Sequence, residues 1–353
     1  MNENTKEENK NPVVAAQMPL LEGSNMPKTV GIIFSEVKRK YFPTRQQYIT
    51  EKDAKKNARE VAEYIEKLGI KTTLYPGNAT LINRLKKDQP ELVFNLVDSV
   101  KGNESLASTV PGMLEMFGIP YTGVGIVGCA LCYNKFLVMK LLEQLGIKTP
   151  RCELVSNTDE EIDTEMKFPL IAKLNEVHGG LEINYECVSD DMEHLKKRIA
   201  YLIEKYDQPV LVQEFIEGRE LSAFVIEGLG QEVFLMETVF TKPESKHQII
   251  NFDTQWVNDD KSYYFAKFEN ENLRKTCRMA FDAVKMSGYG KFDIRVKDNE
   301  YYFIDSNPNN AFGPKESNFP ISIIMEDFYN ITFAEIVKHL IEYTFNKKKN
   351  SYV

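Results

Sequence analysis

Two aspartates near the C-terminal end lie where a metal ion would need them. The segment YGKFDIRVKDNEYYFIDSN has hairpin-like alternation. If residues 298–300 form a three-residue loop, Asp293 lies opposite Asp305, on one face with Lys291 and Arg295, whereas a two-residue turn would separate the two aspartates. The apolar face of this register consists of Phe292, Ile294, Val296, Tyr302 and Ile304.

Facing carboxylates repel each other unless a cation lies between them. The amide oxygen of Asn307 would complete an all-oxygen donor set that suits Mg²⁺, which often shares its coordination with phosphates. The pattern therefore predicts a magnesium site that serves a nucleotide. Two solvated aspartates on an edge hairpin are the alternative.

A lysine and a glycine-rich loop provide a second candidate group. Lys173 ends the apolar run FPLIAK, and His178, Gly179 and Gly180 follow in a loop between two predicted strands. A lysine with free backbone N–H donors is suited to binding phosphates, although an exposed lysine on a surface hairpin would look the same. His178 is a minor candidate for a general base.

The segment VLVQEFIEGREL resembles a hinge that binds a nucleoside. The backbone of residues 214–216 would contact adenine at a strand edge, and Glu220 would accept the ribose hydroxyls. Two strands joined by a glycine turn are the alternative. Neither G-x-x-x-x-G-K-[ST] nor G-x-S-x-G occurs, so neither a P-loop nor a serine nucleophile elbow is predicted.

The elements that must position these residues fall into two patterns. From Lys28, strands alternate with helices, which predicts a parallel α/β sheet. Beyond Gly146 the pattern becomes α+β with antiparallel hairpins. Gly123, Gly125 and Gly128 form G-x-G-x-x-G, but the preceding long apolar strand of a dinucleotide site is missing.

Composition excludes several classes of function. The net charge of −8 and pI near 5.4 disfavour nucleic acid as a partner. No apolar run approaches the roughly 18 residues of a membrane span, and the N-terminus does not resemble a signal peptide, so a cytoplasmic protein is expected. Cys129 and Cys132 form C-x-x-C without a second pair at zinc-like spacing, which favours ordinary buried thiols.

Taken in order, these motifs resemble the ATP-grasp superfamily, and within it the D-alanine–D-alanine ligase-like carboxylate–amine ligases. The similarity extends from about Lys28 to Phe345, and its most specific pieces are PELVFNLVD, LEMFGIPYTGVGI, NKFLVMKLLEQLGIKTP, FPLIAKLNEVHGGLEI, PVLVQEFIEGREL and GYGKFDIRV…YYFIDSNPN. The resemblance implies a Rossmann-like N-terminal domain followed by two ATP-grasp subdomains. The predicted divisions are 1–27 (flexible tail), 28–124 (N-terminal α/β domain), 125–207 (central subdomain), 208–346 (C-terminal subdomain) and 347–353 (tail).

The resemblance also implies roles for individual residues. The residues implied to bind ATP are Lys135, Lys173, His178, Gly179, Gly180, Gln213, Glu214, Phe215, Ile216 and Glu220. Those implied to hold one or two Mg²⁺ ions, or Mn²⁺, are Asp293, Asp305 and Asn307. Lys173, Lys291 and Arg295 are implied to be catalytic, and Gln255, Trp256, Asn309 and Asn310 to contact substrate.

The implied reaction has two steps. A carboxylate attacks the γ-phosphate of ATP to give an acyl phosphate and ADP, and an amine then displaces phosphate to form an amide. Positioning and charge neutralisation suffice for such phosphoryl transfer, without a nucleophile from the protein. The expected partners are small-molecule or peptide carboxylates and amines, and the resemblance allows a homodimer.

Several positions depart from the family pattern. The loop FSEVKRKYFPTRQQY replaces a Gly-Gly-x-Ser loop, and its basic residues suggest an acidic donor or a solvated charge run. Gln255 and Lys291 stand where Lys and Arg are usual, and Glu182 replaces a Gly, which would add negative charge near ATP. The stretch after Asn307 lacks the usual Pro-Gly. We therefore expect a substrate other than a D-alanine pair; an ATP-binding scaffold and an ATP-grasp kinase are the alternatives.

Overall fold

Three parallel strands form the N-terminal sheet of the computed structural model, which describes residues 25–163, 165–241, 246–257 and 262–350. Its strands, in the order β2-β1-β3, are β1 (Thr29–Ser35), β2 (Lys71–Gly77) and β3 (Leu92–Leu96). The helices between and after them are α1 (Arg45–Glu51), α2 (Ala54–Glu66), α3 (Leu81–Asp88) and α4 (Thr109–Met116). The predicted parallel α/β arrangement is confirmed. The predicted tail at 1–27 lies almost wholly outside the described residues.

Two helices connect this sheet to the next one. They are α5 (Ile126–Cys132) and α6 (Lys135–Gln144). Asn134 caps α6, because its side chain accepts the backbone N–H of Leu137 at 3.0 Å. Cys129 and Cys132 lie buried within α5, where burial raises the pKa of both thiols to about 12, so they remain protonated at neutral pH.

An antiparallel sheet with the order β4-β7-β5-β6 follows. It consists of β4 (Cys152–Val155), β5 (Leu170–Leu174), β6 (Val188–Ser189) and β7 (Val210–Glu214), with α7 (Met192–Tyr206) between β6 and β7. The boundary predicted after residue 207 would remove β7 from this sheet, although β7 pairs with both β4 and β5. In the described topology β7 is therefore a strand of the same sheet as β4 and β5, while the division of the chain into domains stays a prediction.

The largest sheet has five antiparallel strands in the order β10-β9-β8-β11-β12. Its elements are β8 (Arg219–Ile226), β9 (Val233–Phe240), α8 (Phe252–Trp256), β10 (Tyr263–Lys267), α9 (Glu271–Ala283), β11 (Tyr289–Lys297) and β12 (Glu300–Asn307), followed by α10 (Pro320–Tyr329) and α11 (Phe333–Asn350). The tail predicted from residue 347 begins inside α11. Lys347 still contacts Glu227 at 3.3 Å, which ties this end of the helix to the domain.

The β11–β12 hairpin differs from its prediction and still brings the two aspartates together. Lys297 pairs with Glu300, so the turn has two residues, Asp298 and Asn299, with φ of 51° and 61°. The three-residue loop was wrong. A β-bulge next to Asp293 restores the register, and Asp293 again lies opposite Asp305.

The bulge also changes the apolar face of this hairpin. Phe303 and Tyr301, rather than Tyr302 and Ile304, join Phe292, Ile294 and Val296 in the core. Phe292 and Phe303 pack edge to face, with ring centroids 5.4 Å apart. The polar face is thereby directed away from this core.

Among the described residues, no helix is both long and apolar enough to cross a membrane. The G-x-G-x-x-G glycines do not form a strand-to-helix turn, since Gly125 precedes α5 and Gly128 lies inside it. A Cβ atom at Gly128 would lie 2.0 Å from the carbonyl oxygen of Lys285. This glycine therefore serves close packing of α5 against the segment before β11.

Candidate active site

Two buried lysines from different elements lie near the carboxylate of Asp305. Lys173 lies on β5 and Lys135 begins α6, and their exposures are 7% and 5%. The Nζ atom of Lys135 is 3.8 Å from Oδ1 of Asp305, while Lys173 donates to the carbonyl oxygen of Ile304 at 2.9 Å. Burial lowers the pKa of Lys173. Burial alone would raise the pKa of Asp305, but Lys135 and Lys173 hold it below its usual value.

The facing carboxylates on β11 and β12 form the centre of this group. Oδ1 of Asp293 accepts from Ser222 at 2.8 Å and is 3.0 Å from Nζ of Lys291. Its other oxygen accepts from the amide of Asn307 at 3.1 Å. Despite burial, Asp293 raises the pKa of Lys291, which therefore remains charged. Two facing carboxylates and an amide fit the hard oxygen ligands that Mg²⁺ prefers.

The predicted ribose acid is held by an arginine on the neighbouring strand. Oε2 of Glu220 is 2.7 Å from Nη2 of Arg295, which also donates to the carbonyl oxygen of Gln248 at 2.7 Å. The guanidinium lies 5.1 Å from the ring centroid of Phe215. Burial raises the pKa of Glu220, while Arg295 opposes this shift. Arg295 thus connects the predicted ribose and adenine residues.

The residues predicted to frame adenine continue from β7 into the following turn. Gln213, Phe215 and Ile216 are buried, and Nε2 of Gln213 is buried without a hydrogen-bond partner. The side chain of Glu214 is engaged elsewhere, because it accepts the backbone N–H of Lys167 at 2.8 Å. The backbone N–H of Glu214 donates to the carbonyl oxygen of Arg151 at 3.0 Å, so this residue is bonded within the protein through both its side chain and its backbone.

The glycine loop is held by contacts on three sides. Both Nδ1 and the backbone N–H of His178 approach Oε2 of Glu104, at 3.0 and 2.8 Å. The indole N–H of Trp256 donates to the carbonyl oxygen of Gly179 at 2.8 Å. The side-chain oxygen of Gln255 would lie 3.1 Å from a Cβ atom at Gly180. Trp256 and Gln255 therefore contact the loop itself.

The expectation that Glu182 adds negative charge near ATP was wrong. Its carboxylate is 3% exposed and faces α7, where Lys205 and the hydroxyl of Tyr206 donate to it at 2.8 and 2.6 Å. Burial would raise the pKa of Glu182, but Lys205 and Tyr206 keep it lowered. The charge is neutralised on the side of the loop that packs against the helix.

Three acids from the N-terminal part were missed by the sequence reasoning. Glu51 is 7% exposed and accepts from Ser99 at 2.7 Å, and burial raises its pKa to about 7. Loss of hydration, together with the negative charges of Glu51 and Glu104, raises the pKa of Asp98 well above its usual range. The side chain of Asp98 nevertheless remains exposed to solvent. No local motif marks these acids, because α1 and the segment after β3 meet only in the fold.

Two further predicted substrate groups lie in different environments. Both side-chain polar atoms of Asn309, and Oδ1 of Asn310, are buried without hydrogen-bond partners. In contrast, the basic loop is satisfied locally, since Lys38 pairs with Glu36 at 3.0 Å and Arg39 donates to the carbonyl oxygen of Phe42 at 2.5 Å. These contacts favour the solvated charge run over an acid-binding loop.

Comparisons with known proteins agree with this architecture. The family model described as the D-ala D-ala ligase C-terminus matches residues 139–342. The D-alanine–D-alanine ligase of Pseudomonas entomophila is 27% identical over 248 residues, covering 68% of this chain and 73% of that protein. D-alanine–D-alanine ligase A of Clostridium perfringens is 28% identical over 296 residues, covering 76% and 92%.

The fold comparison agrees with the family match. The crystal structure of the D-alanine–D-alanine ligase of Bacillus anthracis complexed with ATP matches with a TM-score of 0.70 and 19% identity, covering 93% of this chain and all of that one. The resemblance inferred from the motifs is confirmed. This chain belongs to the D-alanine–D-alanine ligase family and has the ATP-grasp fold.

Proposed function

We propose that the protein is an ATP-dependent carboxylate–amine ligase that forms an amide through an acyl phosphate. The observation that carries this proposal is the position of two buried lysines beside Asp305, directly across from Asp293: Lys135 pairs with Asp305, and Lys173 is bonded to the backbone of the adjacent Ile304. Cations for phosphate oxygens and carboxylates for a metal therefore meet at one place, as phosphoryl transfer requires.

The nucleotide would lie along the line from β7 to the β11–β12 hairpin. Residues 213–216 frame adenine, and Glu220, oriented by Arg295, accepts the ribose hydroxyls. Because the guanidinium of Arg295 is held by Glu220 and by two backbone carbonyls, we assign it to positioning rather than to contact with reacting atoms. The unpartnered amide nitrogen of Gln213 is an available donor for this ligand.

Asp293, Asp305 and Asn307 would hold the magnesium ion, which would supply positive charge to neutralise the phosphates. Lys135 and Lys173, which lie near Asp305, would bind phosphate oxygens. The backbone N–H groups of Gly179 and Gly180 would donate to the phosphates, and the loop would exclude water, which would otherwise hydrolyse the acyl phosphate. Lys291, charged beside Asp293, stabilises the negative charge that develops at the transferred group.

In both steps of the reaction, the bonds form and break within the substrates and ATP. An oxygen of the substrate carboxylate forms a bond to the γ-phosphorus as the bond to the ADP oxygen breaks. The neutral amine then attacks the acyl carbon, phosphate departs, and the amine nitrogen loses a proton. No covalent bond to the protein is formed at either step.

We further propose that the substrates are an amino acid or peptide pair other than two D-alanines, although the relatives are named D-alanine–D-alanine ligases. The residues after Asn307 support this, because Asn309 and Asn310 carry buried amide atoms that await polar partners. On the donor side, Glu51, Asp98 and Glu104 favour a substrate with a cationic group near its carboxylate.

The test is ADP release over a panel that includes D-alanine, other amino acids and dipeptides, with mass spectrometry of the products. An amide product together with ADP and phosphate supports the ligase. A phosphorylated product without amide would show a kinase instead. Tight MgATP binding without turnover on any pair would favour the scaffold. If the main product is the dipeptide of D-alanine, the proposed change of substrate is refuted, while the ligase activity stands.

A further inference from the structure

The glycine loop ends at a residue whose backbone conformation is costly for its type. Glu182 has φ of +61°, in the left-handed region that favours glycine. The family resemblance places a glycine there. The contacts of the Glu182 side chain must therefore offset the energetic cost of this backbone conformation.

The contacts that offset this cost come from side chains on one face of α7. Lys205 and Tyr206 donate to Oε1 of Glu182, and the hydroxyl of Tyr201 donates to the same atom at 3.3 Å. Arg198 donates to the backbone carbonyl oxygen of Glu182 at 2.6 Å and lies 3.5 Å from its Oε2. The side chain and the backbone of Glu182 are thus held by the same helix.

The neighbouring residues extend this attachment. Leu181 is 4% exposed and packs in the core of the central sheet. The backbone N–H of Ile183 donates to the carbonyl oxygen of Gly180 at 2.9 Å. The C-terminal end of the loop is therefore fixed, whereas Gly179 and Gly180, both with positive φ, have no side chains of their own to hold them.

We propose that Glu182 is a positioning residue that anchors the loop 178–182 to α7, so that the backbone N–H groups of Gly179 and Gly180 are already oriented before a nucleotide binds. The inference rests on the proposed function, in which this loop binds the phosphates of ATP. A free loop would have to be ordered on binding, and the loss of conformational freedom would weaken the affinity.

A tryptophan that contacts the loop can report whether the loop is held in place. Trp256 is the only tryptophan, and its indole N–H donates to Gly179. Its fluorescence and its quenching by acrylamide therefore report on the loop without a label and without a nucleotide. This readout is independent of any enzymatic activity.

The first test is Glu182→Gly, which removes the anchor and also suits the left-handed backbone, so the fold is not strained. In the nucleotide-free variant we expect acrylamide quenching of Trp256 to rise at least about twofold, and the Kd for MgATP to weaken about tenfold. Saturating MgATP should restore wild-type quenching, and kcat should change by less than about threefold. Glu193→Gln is the matched control, because Glu193 pairs with Lys197 at the exposed side of α7 and should change none of these values.

Lys205→Met tests the same contact while leaving Glu182 in place, and it decides the question if Glu182→Gly does not fold. It should reproduce the increase in quenching in the nucleotide-free protein. Unchanged quenching and an unchanged Kd in a folded variant would overturn the anchor. Quenching that stays raised at saturating MgATP, together with a lower Tm, would show a merely structural role and would overturn it as well. If the wild type itself does not bind MgATP, the proposed function fails, while quenching in the nucleotide-free variants still decides the anchor.

Discussion

Replacing Lys173 with methionine should separate the stability of the fold from the binding of nucleotide. In the folded state burial lowers the pKa of Lys173, so its environment as a whole disfavours the charged form. Methionine removes this cost, but it leaves the carbonyl oxygen of Ile304 without its donor at 2.9 Å. The lost hydrogen bond costs about 1–3 kcal/mol. Because the two effects oppose each other, we expect the free energy of unfolding without ligand to change by about 1 kcal/mol or less.

The effect on MgATP should be much larger. Removing one preorganised charged donor from a phosphate site costs roughly 3 kcal/mol, or about 10²-fold in affinity. At a nucleotide concentration of about 100 times the wild-type Kd, binding stabilises the wild type by about 2.7 kcal/mol. At that same concentration, the variant should gain only about 0.4 kcal/mol.

The assay is urea unfolding of both proteins with and without MgATP, followed by ADP release with the substrate pair found in the panel. Lys140→Met is the matched control, since Lys140 lies on α6 and pairs with Glu143 at 3.0 Å on the surface. The control should retain full stabilisation by MgATP. If Lys173→Met is stabilised by MgATP as much as the wild type is, Lys173 does not contact the phosphates and the site assignment is wrong.

Three further substitutions give distinct results. Asp305→Asn should abolish ADP release, as we also expect of Lys173→Met, but it should lower the free energy of unfolding by about 1–2 kcal/mol, because the negative charge near Lys135 and Lys173 is lost; unchanged stability in urea would contradict this. Since burial raises the pKa of Glu51 from 4.5 to about 7, the folded state holds this proton more tightly, and the resulting stability is complete below pH 4.5 and lost as the pH rises through 7. The loss amounts to roughly 3 kcal/mol, so Glu51→Gln should flatten the stability profile between pH 5 and pH 8, and a profile parallel to the wild type would refute it. Asn309→Ala should raise the KM of the amine substrate about tenfold, through the loss of polar contacts, and leave the Kd of MgATP unchanged; a weaker Kd with an unchanged KM would move Asn309 to the nucleotide site.

The hairpin shows which part of a site a sequence can predict. Alternation correctly placed Lys291, Asp293 and Arg295 on one strand face, and the pairing of Asp293 with Asp305 is present. The turn was wrong because Asp298 and Asn299 both adopt positive φ, which a two-residue turn requires. A bulge compensates for the missing loop residue. Local patterns indicate the face and the order of residues, but they do not mark the bulge that leaves Ile304 without a partner on β11.

The glycine loop shows what the sequence could not predict. The sequence marks Glu182 as an exception, and the natural expectation is a charge directed at ATP. Its partners lie 16 to 24 residues later on α7, at spacings that bring Arg198, Tyr201 and Lys205 to one helix face. A pattern of helical residues predicts that such a face exists, but not which loop it meets. The acids Glu51 and Glu104 were missed for the same reason.

The charged side chains of the site neutralise one another when no ligand is bound. Without ligand, Lys135 and Lys173 stabilise the ionised form of Asp305, and Lys291 pairs with Asp293. Burying these groups singly would cost several kcal/mol each, because an unpaired charge loses its hydration. We infer that when MgATP binds, the lysines turn to phosphate oxygens and the carboxylates to the metal. Each charge then keeps a partner of opposite sign, so the site can be preorganised for a highly charged ligand without a prohibitive cost to the fold.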